Sequence, residues 1–430
     1  MPIKTVLFFF LLCFLWLFSV FKTPFAGILA YIINYNISPA HQWWGKPLYD
    51  LGIRFSFLSY IFLVIGVIFH RNKVKLYRLD IQEILLLLFI LLLWISHFIS
   101  PEVLDSTNLE RNALKITKVF LFLFLFTRCI VNKRQFDFFL LTMAVLLLIQ
   151  GFFAWRAPES AFFRGRLDIG FGGPDFKDSN FLAAHFASFL PFLLVLFLEK
   201  KKISWRFLTF CSLIFSLNAI ILTRTRGVFL ALAFALLIGC IFSFFFFRKY
   251  FHIFLLSIIG STILFFTLVD PAFFQRISTI KQIGQEENLD KSASTRLIIW
   301  KAGIKMLKDH PFGVGDGQFK VFVGDYDYRV INRDAHNTFI RCGGELGFPG
   351  LIVFSLFVFI AFKSTWEFTL KSYYQNSPFF VYFLACLFSL LIRLISSLFS
   401  THLYVEEFYL IFSFPLLLKR LYFLDYEKNV

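Results

Sequence analysis

Apolar runs of about 18–22 residues recur along this chain, and each is long enough to cross the hydrocarbon core of a bilayer as a helix. They lie at 5–21, 52–69, 81–98, 114–131, 136–155, 180–198, 205–222, 227–247, 250–269, 347–364, 378–398 and 403–420. Hydrophobic residues make up 58% of the 430, far beyond what a soluble domain carries. The sequence therefore predicts an all-α polytopic membrane protein with about 12 transmembrane helices. A further apolar segment, 24–33, follows Lys22 and Pro24; it is re-entrant, interfacial or an extra span that would change the count. Lys4 precedes the first run without a small-residue cleavage site, so that run reads as a retained span.

The formal net charge is +16, which in a soluble chain would point to nucleic acid. Here Lys and Arg gather in short loops instead, as in Arg71, Lys73, Lys75 and Arg78, and again in Lys200, Lys201, Lys202 and Arg206. Those loops alternate with the runs so as to share one face. The positive-inside bias assigns that face, and both termini, to the cytoplasm. No nucleic-acid-binding motif is present, so membrane lipids are the expected surroundings and nucleic acid is not a partner. Cys13, Cys129, Cys211, Cys240, Cys342 and Cys386 have no CxxC spacing, and five lie in apolar runs. They read as small core residues, not as a disulfide framework or metal site.

The chain divides into spans 1–9 over 1–269, a large external loop at 270–346 between spans 9 and 10, and the last three spans with a cytoplasmic tail over 347–430. The loop mixes acidic and basic residues with aromatics and glycines, which predicts a folded cap. Residues 295–308 read as an amphipathic helix. Leu297, Trp300, Ile304 and Leu307 share one face and Lys301, Lys305 and Lys308 another, with Ser294 as N-cap and Pro311 just past the end. The lysine stripe is a solvated face or a contact with anionic lipid headgroups.

Several polar residues on the outer face carry candidate chemistry. Arg296, in the expected first turn of that helix, makes an anion site with Ser294, Thr295 and the free N–H groups. Arg224 and Arg226 lie in the turn Thr223-Arg224-Thr225-Arg226-Gly227, against the charge bias of that side, which points to a specific partner. Arg164 and Arg166 form a second external pair, ahead of Gly172-Gly173-Pro174-Asp175 and Asp178-Ser179-Asn180. His336 lies shortly before the chain re-enters the membrane, where a neutral imidazole would take a proton from a hydroxyl group. His310, before a proline, reads as structural. Arg393 lies inside a span and expects neutralisation by Glu406 or Glu407. Gly313-Val314-Gly315-Asp316-Gly317 fits neither phosphate-loop pattern, and Asp325-Tyr326-Asp327 is a three-letter match too short to predict a metal.

Together these stretches resemble the O-antigen ligase/polymerase family of bacterial envelope glycosyltransferases. The resemblance rests on Thr223 to Gly227 opening a span, and on an Arg-x-x-x-Trp helix, here Arg296 and Trp300, followed by the Gly-rich turn His310 to Gly315. It rests further on His336-Asn337, nine residues, then Gly347-Phe348-Pro349-Gly350, with Glu345 in a Glu-x-Gly. Asp178-Ser179-Asn180 is a weaker match. The resemblance implies a glycosyltransferase of the bacterial inner membrane with its active site facing the periplasm. The donor would be an undecaprenyl-diphosphate-linked glycan, and the acceptor a lipid A-core sugar (ligase) or another lipid-linked repeat unit (polymerase). It implies Arg226, Arg296 and His336 as catalytic residues. Arg224, Arg164, Arg166, Asn337 and Asn180 would bind substrate, with no metal or other cofactor. The motifs are common to both branches, and the ligase is favoured on the His-Asn-x9-Gly-x-x-Gly match. A transporter of lipid-linked sugar is the reading from another class; it should place charged or broken helices near the midplane, whereas the polar residues gather in outer loops.

Overall fold

The computed structural model describes residues 2–50, 52–75, 77–100, 112–163, 165–168, 172–176, 178–248, 251–252, 255–256, 259–260 and 291–429. The chain opens with α1 (Ile3–Phe21), α2 (Phe25–Ile37), the short α3 (Lys46–Asp50) and α4 (Phe55–Phe69). Then come α5 (Ile81–Ile99), α6 (Asn112–Cys129), α7 (Lys133–Trp155), α8 (Ser179–Glu199), α9 (Ile203–Thr223) and α10 (Arg226–Phe245). The C-terminal part holds α11 (Lys291–Asp309), α12 (Phe319–Tyr326), α13 (Thr338–Tyr374), α14 (Phe380–Ser397) and α15 (Glu406–Asn429). Strand is limited, among the described residues, to a small antiparallel hairpin, β1 (Phe162–Phe163) against β2 (Arg166–Leu167).

Eight described helices, α1, α5, α7, α8, α9, α10, α13 and α14, are long and apolar enough to cross a membrane. α2 and α4 are apolar but shorter. The expected run at 250–269 and the first part of the loop, 270–290, fall largely outside the described residues. α6 and α15 carry Lys115, Lys118, Arg128, Glu406, Glu407, Lys419 and Arg420. Much of this charge is paired inside the protein. Arg128 is fully buried with Nη1 2.5 Å from Glu83 Oε1, and Arg420 Nη2 reaches the other oxygen of that carboxylate at 2.8 Å. Removing one partner from such a buried pair costs about 3–5 kcal/mol, because the other charge stays desolvated. The segment 24–33 belongs to α2, whose residues Phe25 to Ile32 are all buried, with α1 and α4 packed on it. It is a packed helix and not an interfacial one. Its 13 residues rise only about 20 Å.

α8 packs on α7, α9 and α14, and α13 packs on α5 and α14. The middle of the bundle is aromatic. Phe414 of α15 lies 5.3–6.3 Å, centroid to centroid, from Phe126, Phe136, Phe139, Phe189 and Phe192. Polar groups collect on either side of this layer. Toward one end, Asp137 accepts from Tyr382 Oη at 2.6 Å and Lys200 Nζ at 2.7 Å. Toward the other, Asp175 accepts from Lys115 Nζ at 2.6 Å and Tyr35 Oη at 3.0 Å. Arg393 sits on that second side, 3.7 Å from Glu407, whose other oxygen lies 2.9 Å from His185 Nδ1. Glu406 instead turns its backbone N–H to Asp175.

The segment from α11 to the start of α13, here called the cap, has its own small core. Ile299, Ala302 and Met306 of α11 pack with Val314, Phe319, Val323, Val330 and Ala335. Full burial of a side chain such as Ile299 or Met306 contributes roughly 1.5–3 kcal/mol, so these contacts hold the cap as a folded unit. This corrects the expected helix in two ways. α11 starts at Lys291, so Ser294 lies within it and is not its N-cap, and Arg296 stands beyond the first turn. The buried edge is Ile299-Ala302-Met306, while Leu297 and Ile304 are 50% and 45% exposed. Packing against α12 and α13 selected an edge about 0.4 of a turn from the face that residue type groups together.

Candidate active site

The His310–Gly315 turn and the Gly347–Gly350 segment are one structural device. α13 breaks at Gly347, whose φ of 65° and ψ of −163° are non-helical. At the break, Phe348 N–H donates to Pro311 O at 2.8 Å, Val314 N–H to Gly344 O at 2.9 Å and Gly315 N–H to Glu345 O at 3.0 Å. The approach leaves no room for side chains. A Cβ on Gly347 would stand 2.1 Å from Pro311 O, and one on Gly313 2.3 Å from Glu345 O. The glycines therefore serve a backbone latch between cap and membrane helix. Asp316 buttresses it by accepting from Asn112 Nδ2 at 2.9 Å and Ala113 N–H at 3.3 Å at the start of α6. Gly347→Ala is expected to destabilise the protein by about 1–3 kcal/mol for a positive-φ, extended-ψ backbone that only glycine adopts readily and a further ~1–3 kcal/mol for overpacking. Thermal unfolding in detergent checks this, and a melting temperature equal to the parent's would contradict it.

The latch holds the start of α13, and His336 sits just ahead of it. Asn337 caps the helix, its Oδ1 accepting from Phe339 N–H at 2.9 Å and Ile340 N–H at 3.1 Å. His336 adopts a left-handed backbone, φ 47°, and its N–H donates to Asp334 Oδ2 at 3.2 Å. From α11, Trp300 Nε1 donates to Ala335 O at 3.0 Å, pinning the residue next to it. Asp334 is a hub. It also accepts from Thr401 Oγ1 and, at 3.3 Å, from Arg341 Nη1. Arg341 in turn pairs with Glu345 at 2.8 Å, and Glu345 accepts from Tyr404 Oη at 2.5 Å.

Half-burial pushes the His336 imidazole below its ordinary pKa. Asp334 pulls it up, Arg296 pushes it down, Asp178 pulls up and Arg333 pushes down, and the net direction is down. The imidazole is therefore neutral near pH 7, the form that accepts a proton. For Asp334, burial pushes the carboxyl up, but Arg341, the Thr401 hydroxyl and His336 outweigh it and hold the group below the usual carboxylate range.

The arginines arrive from three directions. α11 sets Arg296 close enough for its charge to act on His336. Arg224, φ 49°, and Arg226, the first residue of α10, form the tight turn after α9. Arg166 of the hairpin ties that turn to α8, with Nε donating to Thr223 O at 3.2 Å and Nη2 to Ser179 Oγ at 3.0 Å. Arg224 lies against the hairpin, since a Cβ on Gly165 would stand 3.0 Å from its Nη1. Asp178 caps α8 by accepting from Asn180 N–H at 2.6 Å and Asn180 Nδ2 at 2.8 Å. The loop after α14 joins the two halves. Phe399 packs at Gly227, Asn337 Nδ2 donates to Leu398 O at 3.1 Å, and Thr338 Oγ1 donates to Ser400 O at 3.1 Å.

Thus the structure gathers Arg166, Asn180, Arg224, Arg226, Arg296 and His336 at one end of the bundle. Arg164 lies outside the described residues. Asn337 is buried, with both ends of its amide bonded to protein, so the structure gives it a capping role. Asp334, Arg341, Thr401 and Tyr404 were not anticipated; the one local signal was an acid two residues before His336. Asp327 of the three-letter acidic match is held down to about 2 by a two-point hydrogen bond to Arg329, at 2.9 and 2.7 Å. Among the described residues no group of three His, Cys, Asp or Glu side chains is placed to hold a metal ion.

No curated protein matches this chain. Residues 211–355, from mid-α9 through the cap and past the break in α13, match a family model described as O-antigen ligase. The match spans the Arg224–Arg226 turn, Arg296, His336 and the latch, so this part of the chain is similar to that family.

Proposed function

We propose that this protein is an O-antigen ligase of the bacterial inner membrane, moving a glycan from undecaprenyl diphosphate to a sugar hydroxyl of lipid A core on the periplasmic face. The observation that carries this reading is a half-buried histidine, poised neutral by burial and within the field of the Arg296 guanidinium. The acceptor hydroxyl gives its proton to His336 as its oxygen attacks the anomeric carbon from the face opposite the diphosphate. The carbon–oxygen bond to the diphosphate breaks and its electron pair leaves with undecaprenyl diphosphate, so the sugar inverts. Arg296 and Arg226, with Arg224 beside them, meet the charge that grows on the leaving group. Guanidinium forks suit this because they bind phosphate oxygens at two points and stay charged. Each preorganised donor of this kind contributes about 3 kcal/mol. The diphosphate ester supplies the driving force, and the steps use no nucleotide or metal.

The polymerase reading uses the same residues with a lipid-linked repeat unit as acceptor. The aromatic layer around Phe414 favours either enzyme over a transporter, because it separates the polar groups at the two ends of the bundle. A strain lacking the protein separates the branches. Bare lipid A core on a polysaccharide gel, with long polymer accumulating on the lipid carrier, is the expected result. Core bearing one repeat unit, with no long polymer in either fraction, would replace the ligase by the polymerase.

A further inference from the structure

A second charged site lies at the other end of the bundle from His336. α5 and α15 run antiparallel between the two. The end of α5 at Ser96 bonds Glu345 O near the latch, while its start at Asp80 meets the C-terminal half of α15 through Lys419, at 2.8 Å. There an open cavity of about 310 Å³ is lined by Arg78, Lys419 and Arg420 together with the apolar Leu79, Leu416 and Phe423. Tyr77 and Asp80 complete the lining.

The cations are held in place and outnumber the acids. Arg420 is fixed by Glu83 at 2.8 Å and by Thr127 Oγ1 at 2.7 Å, and it lies 4.8 Å from the Tyr77 ring centre. Glu83 is shared with Arg128, and Asp80 takes Lys419. Two carboxylates thus face Arg128, Lys419 and Arg420, and exposed Arg78 stands at the mouth as a fourth positive charge. Lys371 adds another beside Phe423, 5.4 Å from the ring centre. Two of the apolar residues lining the cavity are exposed, Leu79 at 46% and Phe423 at 40%. Below it, Ile81, Ile84, Leu88, Leu91 and Ile95 form an exposed stripe down α5 at helical spacing.

A cationic pocket continuous with an exposed apolar track has the shape of a phospholipid: headgroup phosphate above, acyl chain below. We infer that this cavity binds an anionic glycerophospholipid of the leaflet at that end, which the positive-inside pattern assigns to the cytoplasm. The phosphate would sit among Arg78, Lys419 and Arg420, with an acyl chain along the α5 stripe. A zwitterionic lipid brings an ammonium group that these cations repel, so the site selects for net negative charge. The inference is independent of which sugar chemistry occurs at the far end.

The test uses the full chain, purified in detergent and titrated with phosphatidylglycerol, phosphatidylcholine or inorganic phosphate, with thermal unfolding and native mass spectrometry as readouts. Phosphatidylglycerol is expected to raise the melting temperature and remain bound, whereas phosphatidylcholine and phosphate do neither. Arg78→Glu should weaken phosphatidylglycerol binding about tenfold or more, because it reverses a charge at the mouth and leaves the Asp80–Lys419 and Glu83–Arg420 pairs intact. Lys201→Glu, an exposed basic residue in the loop between α8 and α9, should leave binding unchanged. Equal stabilisation by phosphatidylcholine, full stabilisation by phosphate alone, or equal loss in Arg78→Glu and Lys201→Glu would each overturn the site.

Discussion

Replacing His336 with asparagine is expected to abolish glycan transfer, a loss of about 10²–10⁴-fold, with the protein still present at normal level in the membrane. Asparagine is the informative choice. It tolerates the left-handed backbone at this position and keeps the N–H that donates to Asp334, but it cannot take a proton from a hydroxyl. Alanine should give the same loss of transfer. Surface glycan on a gel, with an immunoblot for protein level, reads the result, and normal glycan from either variant would remove His336 from the mechanism. The pH profile adds a second reading. The base works when neutral, hence above its pKa, and that pKa lies below the ordinary histidine value of about 6.5 because of burial and then the balance of neighbouring charges. The acid limb of activity should therefore fall below pH ~6.5. Asp334→Asn removes a charge that pulls the pKa up, so the limb should move to lower pH. The carboxyl of Asp334 is depressed in the folded protein. Its stabilising effect is thus complete above the unfolded value of about 3.9 and is lost only as pH falls through the lower folded value. Activity lost between pH 5 and 7 then reports on His336 and not on this group unfolding the cap.

Arg296→Ala should lower transfer by about 10²–10³-fold, the usual cost of deleting one preorganised donor to a developing anion. Arg296→Lys should recover only part of it. An ammonium keeps the charge but loses the planar two-point fork. The alanine variant should also move the acid limb to higher pH, because a charge that holds the His336 pKa down is gone. A merely structural arginine would not produce that shift. Lys305→Ala, an exposed position on the same helix, serves as control and should leave transfer near the parental rate. Full activity in Arg296→Ala, with unchanged surface glycan, would exclude its role.

Most of the helical segments were legible, since run length and loop charge place them within a few residues of where they lie. His336, Arg296 and the Thr223–Gly227 turn stood out for a different reason, as polar residues between apolar runs in a family-like order. The buried edge of α11 was not legible, because residue type groups Leu297 and Ile304 on one apolar face, whereas the partners that cover the helix come from Phe319, Val323 and Ala335. The purpose of the two glycine motifs was hidden for the same reason. Gly313 and Gly347 are constrained by each other's backbone surroundings, and neither local pattern carries that information. Nor could spacing link Asp334 to Thr401 or Glu345 to Tyr404, which lie 67 and 59 residues apart.

By itself the sequence determined that this chain is a bundle of long apolar helices able to cross a membrane. In hydrocarbon each helix must satisfy its own backbone, so the property is written in consecutive residues. Only the tertiary structure decided what His336 is chemically. Its burial and the fields of Asp334, Arg296 and Asp178 come from the cap loop, from α11 and from the start of α8. A proton affinity set by desolvation and by charges on separate helices exists only once those helices have packed together.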